Sequence, residues 1–169
     1  GNPIAGIDPN ELFDTSGIVK EVFDFFQNNE DFSNLPRKYK MSISTNLHNA
    51  SNAEINCISF TPAVKVLDGV EKQGFHLKIG GGLSARPFLA QTLDAFIEPE
   101  RTLEVAVAVT TIFRDYGYRE KRHLARLKFL MADWGTEKFL AKIQEYTGPL
   151  PTRGEEPVGE WNAGYFYGV

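Results

Sequence analysis

Lys38 and Lys40 stand two apart in the stretch Asn34-Leu35-Pro36-Arg37-Lys38-Tyr39-Lys40-Met41-Ser42-Ile43-Ser44. Pro36 steers the residue before it away from helix. From there Lys38, Lys40, Ser42 and Ser44 fall on one face of a strand, and Tyr39, Met41 and Ile43 on the other. Side chains two apart on a strand point the same way, roughly 6.5–7 Å from each other. Two ammonium groups so placed can converge on one small anion while the apolar set packs behind. An edge strand with solubilising lysines has the same pattern, so the choice depends on the rest of the chain.

Two further features bear on it. Gly80-Gly81-Gly82 follows directly on a strand pattern. Three glycines allow backbone N–H groups to approach a phosphate or carboxylate closely. The run lacks both the Lys-Ser/Thr ending of a P-loop and the G-x-G-x-x-G spacing of a dinucleotide fold. Next, Arg119, Lys121, Arg122, Arg126 and Lys128 put five cations within ten residues. Helical spacing places Arg119, Arg122 and Arg126 on one stripe and Leu124, Leu127, Met131 and Trp134 on an adjacent one. Such a comb suits a polyanion because each guanidinium offers a planar fork of donors. A solvated cationic face is the plainer alternative. His48, His76 and His123 have no ligand spacing, and Cys57 reads as a buried thiol with no general base nearby.

The elements that must position these groups follow from periodicity. Asp8-Pro9 reads as a helix start. A second start at Asp14-Thr15-Ser16 leads an amphipathic helix with Ile18, Val19, Val22, Phe23, Phe25 and Phe26, ending near Gln27-Asn28-Asn29. Residues 55–67 and 75–79 alternate as strands around the Asp68-Gly69 turn, an antiparallel pair. Residues 87–96 read as a short helix, and a longer one runs from Glu98-Pro99-Glu100 to Asp115-Tyr116-Gly117. Residues 119–134 and 136–146 complete the helices, the last capped at Thr136. Residues 152–157 read as a linker and 161–169 as a lone aromatic strand. The order implies an α/β (α+β) fold: a mixed, largely antiparallel central sheet flanked by helices.

Composition sets the outer bounds. The 169 residues suffice for one domain with its own core, and 42% hydrophobic with 24% charged residues is ordinary for a soluble protein. A net charge of −4 argues against a general nucleic-acid binder. Against that acidic balance, a local cluster of five cations calls for an explanation. One cysteine, Cys57, rules out an all-cysteine metal or cluster site made by this chain alone. No apolar run approaches a membrane span, and no signal peptide is seen, so a cytoplasmic location is expected. The chain starts without Met, and both ends read as cut from something longer.

Taken together, these motifs resemble the siroheme-binding middle part of assimilatory nitrite and sulfite reductases. The resemblance runs over nearly the whole chain. It is carried by Gly1-Asn2-Pro3-Ile4-Ala5-Gly6-Ile7-Asp8-Pro9, the 34–40 strand and Ile55-Asn56-Cys57-Ile58-Ser59-Phe60-Thr61-Pro62-Ala63. Gly74-Phe75-His76-Leu77-Lys78-Ile79-Gly80-Gly81-Gly82-Leu83-Ser84, Phe113-Arg114-Asp115-Tyr116-Gly117 and Ala125-Arg126-Leu127-Lys128-Phe129 follow in order. It implies a siroheme domain over 1–151, with 152–169 as linker and first strand of a ferredoxin-like half domain. It implies that Lys38 and Lys40 bind the substrate anion beside the siroheme iron. Arg126 and Lys128 match positions that bind siroheme carboxylates, with Arg122 beside them; Asn56, Gly81 and Gly82 lie near the macrocycle. A [4Fe-4S] cluster would come from a downstream domain, since the family holds it on four cysteines. Electrons would come from ferredoxin or a flavoprotein, with no nucleic acid or membrane partner. Cys57 stands where the family usually has Asp. The opening nine residues lean toward nitrite and Lys40 toward sulfite, so the substrate stays open. On these terms the fragment is inactive alone. A non-catalytic domain binding an anion or partner through residues 119–128 is the alternative.

Overall fold

Two long strands with a tight turn between them organise the sheet. The computed structural model describes residues 1, 5–46 and 49–155. Strands β2 (Ile58–Leu67) and β3 (Val70–Ile79) pair antiparallel from Ile58↔Ile79 to Leu67↔Val70. Asp68 and Gly69 turn the chain with φ of 52° and 78°, the left-handed pair that matches strand twist in a two-residue hairpin. β1 (Met41–Ile43) lies parallel to β2 and β4 (Gln91–Ile97) antiparallel to β3, giving the order β1-β2-β3-β4. The expected mixed, largely antiparallel sheet is therefore present.

The period of two decides the core. Ile58, Phe60, Phe75, Leu77 and Ile79 are fully buried and join one cluster with Val105, Val109, Ile112, Phe113, Leu127, Leu130 and Met131. Those partners belong to helices α2 (Thr102–Tyr116) and α3 (Leu127–Thr147), with α1 (Ser16–Phe26) adding Val22. Burying each such side chain stabilises by about 1.5–3 kcal/mol. The opposite face carries Ser59, Thr61, His76 and Lys78. Residues 149–155 cross that face: Pro151 O accepts from Phe96 N at 2.8 Å, Gly154 O lies 2.6 Å from His76 Nε2, and Glu155 O accepts from Val64 N at 3.1 Å. The first four residues of the expected linker are thus held by the sheet. The expected strand at 161–169 and His48 lie outside the described residues.

Three expectations are corrected. No helix starts at Asp8-Pro9: Asp8 is buried and its carboxylate accepts from Asn10 N and from Asn46 Nδ2. Residues 91–97 form strand β4 instead of helix, because Leu93, Ala95 and Ile97 alternate into the core. Residues 119–134 are not one helix. Arg122–Leu124 is a single 3-10 turn, and α3 begins only at Leu127. Arg126 precedes α3 and Lys128 lies in its first turn, where positive charge opposes the macrodipole. α3 then breaks at Gly135 (φ 73°), next to the boundary expected at Thr136.

Candidate functional site

The segment carrying Lys38 and Lys40, which precedes strand β1, is anchored from behind by Tyr39. Its ring stacks on Phe113 at 5.5 Å and 21°, and its hydroxyl lies 3.2 Å from Thr110 Oγ1. Burial pushes the phenol above its ordinary range. On the opposite side, Lys38 is exposed, and Lys40 is half-buried with its Nζ donating to Ile55 O at 2.7 Å. The next polar position, Ser42, bonds Ser59 Oγ at 2.9 Å inside the protein. The alternation thus puts one lysine at the surface and carries the same face inward toward Cys57, whose N–H donates to Lys40 O at 3.0 Å.

Beside Lys38 opens a groove of about 590 Å³ lined by Ser33, Pro36, Arg37, Lys38, Arg119 and Arg122, with no carboxylate among its lining residues. Backbone carbonyls hold it in shape. Arg37 Nη1 donates to Arg122 O, and Arg119 Nη2 donates to Asn34 O at 2.8 Å and to Arg114 O at 3.0 Å. The side chains of Lys38, Arg122 and Arg126 have no hydrogen-bond acceptor or ion pair among the described residues. The ion pairs found there lie elsewhere, at Lys20–Asp24, Lys72–Glu98, Lys78–Glu54, Arg101–Glu104, Arg114–Asp115 and Lys142–Glu145. Like charges gathered in one groove raise the local potential and favour anions, although Asp115 lies close enough for Arg119 to lower its carboxyl. No group of His, Cys, Asp and Glu among the described residues gathers as a metal-ligand set, so the cationic face is the site these residues build.

The glycine turn works differently from the expectation of free N–H groups. Gly80 N donates to Cys57 O, Gly81 N to Asn56 O and Gly82 N to Phe88 O, each at 2.9 Å. The carbonyls are what face a partner. The Lys128 ammonium donates to Gly82 O at 3.3 Å, to Leu83 O at 2.9 Å and to Arg86 O. Burial, then the neighbouring Arg126 charge, pushes Lys128 below the usual lysine range. The Asn56 amide is spent on Ser51 O at 2.9 Å and Asn52 O at 2.8 Å, which shapes the preceding loop. Cys57 is buried, and burial raises its thiol against the opposing charges of Lys40, Arg126 and Lys128.

Two groups of residues therefore come together. Lys38 shares the groove with Arg122, Arg37 and Arg119; Lys40, Arg126 and Lys128 surround Cys57 and Gly82. Arg119, Arg122 and Arg126 do not form a helical stripe. Arg119 and Arg122 meet the groove from a loop and a 3-10 turn, while Arg126, just before α3, lies in the other group beside Gly82. Arg37 was missed by strand alternation, which assigns it to the face of Tyr39. The regular strand begins only at Met41, so the period does not bind Arg37.

These elements define an α/β domain with a cationic groove at Arg37, Lys38, Arg119 and Arg122. The chain belongs to the nitrite and sulfite reductase family, a family of oxidoreductases: residues 1–149 match the family model described as the nitrite and sulphite reductase 4Fe-4S domain. It is 39% identical over 168 residues to the ferredoxin–nitrite reductase of Leptolyngbya laminosa, covering 96% of this chain and 32% of that protein. It is 40% identical over 165 residues to sulfite reductase [ferredoxin] 2 of Mycolicibacterium paratuberculosis, covering 94% of this chain and 29% of that protein. Its fold matches the solved structure of the Mycobacterium tuberculosis NirA protein with a TM-score of 0.84 and 40% identity, covering 95% of this chain and 29% of that one. The chain thus spans about a third of the length of these relatives.

Proposed function

We propose that this chain is the part of a siroheme-dependent reductase that holds the macrocycle and the substrate anion, for six-electron reduction of nitrite to ammonia or of sulfite to sulfide. The observation that carries the reading is the groove of Arg37, Lys38, Arg119 and Arg122, lined by no carboxylate. Guanidiniums gathered in one place fit a macrocycle rich in carboxylates, because each can take a carboxylate in a two-bond fork. Arg122 and Arg126 are the residues that would hold those carboxylates. Siroheme bound here would supply the iron at which the anion is reduced.

The lysines have a separate task. Lys38 and Lys40 hold a small anion by charge and donate hydrogen bonds to oxygens that leave as water. Tyr39 keeps both on one rigid wall through its contacts with Phe113 and Thr110. Glycines 81 and 82 bring the backbone close to the macrocycle edge, with Asn56 shaping the loop beneath. With Cys57 as its sole cysteine, the chain depends on other parts of the polypeptide for a [4Fe-4S] cluster. Residues 1–151 form the siroheme domain, and 152–169 lead into the next one. Ferredoxin is the electron donor favoured by the names of both relatives. A cytoplasmic enzyme is the expected context, and the fragment alone is inactive.

The test uses the intact enzyme. Lys38→Met and Lys40→Met should each lower turnover of nitrite and sulfite at least about tenfold with siroheme absorption near wild type. Arg122→Gln with Arg126→Gln should strip siroheme absorption. Full activity in both lysine variants refutes their role. A wild-type enzyme without siroheme bands refutes the reading and leaves an anion- or partner-binding domain.

A further inference from the structure

Lys128 is the most deeply buried cation described, 2% exposed, in the first turn of α3. Both circumstances disfavour it: burial penalises the charge, and the helix N-terminus repels it. A leucine or methionine would fill the space without either penalty. The compensation is a cage. An ammonium has three donors, and three carbonyls, of Gly82, Leu83 and Arg86, accept from it. The rings of Phe88 and Phe129 flank it at 5.6 and 5.2 Å.

The carbonyls come from one closed loop. Gly82 and Phe88 exchange backbone hydrogen bonds of 2.9 and 3.0 Å and so seal residues 82–88 into a ring. Ser84 takes φ of 101° inside it, a left-handed conformation that a serine rarely adopts and that the surroundings must hold. Arg126, two residues before Lys128, lies along the same ring: a Cβ on Gly82 would stand 3.6 Å from Lys128 Cδ and 3.7 Å from Arg126 Nη1.

We infer that Lys128 is a positioning residue: its caged ammonium locks the 82–88 ring onto α3 and thereby sets the place of Arg126, the residue that meets the anionic ligand. On this inference Lys128 acts on the cofactor through Arg126 rather than by binding a siroheme carboxylate itself, since all three of its donors are engaged within the protein. The inference rests on the cofactor reading only for what Arg126 contacts.

The test is lysine labelling of the intact wild-type protein with an amine-acetylating reagent, with and without siroheme, read peptide by peptide. Lys128 should react at least about tenfold more slowly than exposed Lys121 in both states. Labelling as fast as Lys121 without siroheme, with protection only when siroheme is bound, would make Lys128 a direct ligand and overturn the inference. Hydrogen exchange on variants supplies a second arm. Lys128→Met should speed exchange of the Gly82 and Phe88 amides about tenfold or more in cofactor-free protein, and siroheme content should fall. Arg126→Gln should lower siroheme content with those amides unchanged. Unchanged amides in Lys128→Met would also overturn the inference. Absence of siroheme from the wild type would overturn the proposed function, and labelling of cofactor-free protein would then decide Lys128 by itself.

Discussion

Gly81→Ala tests whether the glycine turn is fixed by sterics rather than by ligand contact. A Cβ at Gly81 would stand 2.3 Å from Glu54 O and 2.6 Å from Asn56 O, where ordinary contact begins at 3.4 Å. The backbone must therefore move by about 1 Å to restore van der Waals distance. Neither carbonyl is free to yield. Glu54 O accepts from Ala90 N at 2.8 Å, and Asn56 O accepts from Gly81 N itself at 2.9 Å. Losing both bonds costs about 1 kcal/mol each, and overpacking adds about 1–3 kcal/mol. The expected loss is about 3–5 kcal/mol. Gly69→Ala is the control: φ there is 78° with nothing within 4 Å of the added methyl, so only backbone strain of about 1–2 kcal/mol applies. Pulse proteolysis of the cofactor-free intact protein across a urea series measures both. Gly81→Ala should unfold at clearly lower urea than Gly69→Ala, by the equivalent of about 2 kcal/mol. Equal midpoints would show that the turn can shift freely, and the steric account would fail.

Other outcomes follow from the same contacts. The Cys57 thiol, buried and raised, should react with a maleimide at pH 7 at least about 100-fold more slowly in native protein than in denaturant; a fast native reaction would show the wall opening. For Glu54, burial alone would raise the carboxyl, but the Asn49 bond and Lys78 more than offset this and hold it below 4.5. A folded-state pKa below the unfolded one gives stability above about pH 4.5 that is lost as pH falls through the depressed value. Glu54→Gln should therefore cost stability at pH 6, about 1 kcal/mol or less after solvent screening, and the difference from wild type should shrink toward pH 3. Tyr39→Phe should cost about 1 kcal/mol and raise KM for the anion in the intact enzyme with siroheme content unchanged; an unaltered KM would remove Tyr39 from the wall.

Strong periodicity was legible from the chain alone. Helix α1 and the hairpin β2–β3 stand close to where Val22, Phe26 and the Asp68-Gly69 turn placed them, and α2 ends at the Asp115-Tyr116-Gly117 signal. β4 was lost to ambiguity: Leu93, Ala95 and Phe96 fit a short helix as well as a strand, and only the pairing His76↔Phe96 and Lys78↔Thr92 decides. The basic segment failed for another reason. Helical spacing says where charges would lie if a helix formed, but not that the helix starts only at Leu127. At the site, residue types pointed to an anion, yet the bonding of each donor depends on distant residues. Gly82 N is satisfied by Phe88, and Lys128 by carbonyls more than forty residues away in sequence. Nothing local announces either.

The unequal lengths of the strands carry a consequence for folding. β2 and β3 have ten residues each and close through two turn residues, so their pairing is local. β1 contributes three residues, paired parallel to β2 at the far end of a long connection. Such a strand joins after its template exists, because the loop must close before any contact rewards it. A φ-value near one at Val66 and near zero at Ile43 would be the kinetic signature. The wall bearing Lys38 and Lys40 is then the last piece to settle, and it settles beside other cations that repel it. Under the proposed function, an anion arriving there would supply the missing half of the electrostatics, so that at this edge the last step of folding and the capture of ligand would become one event.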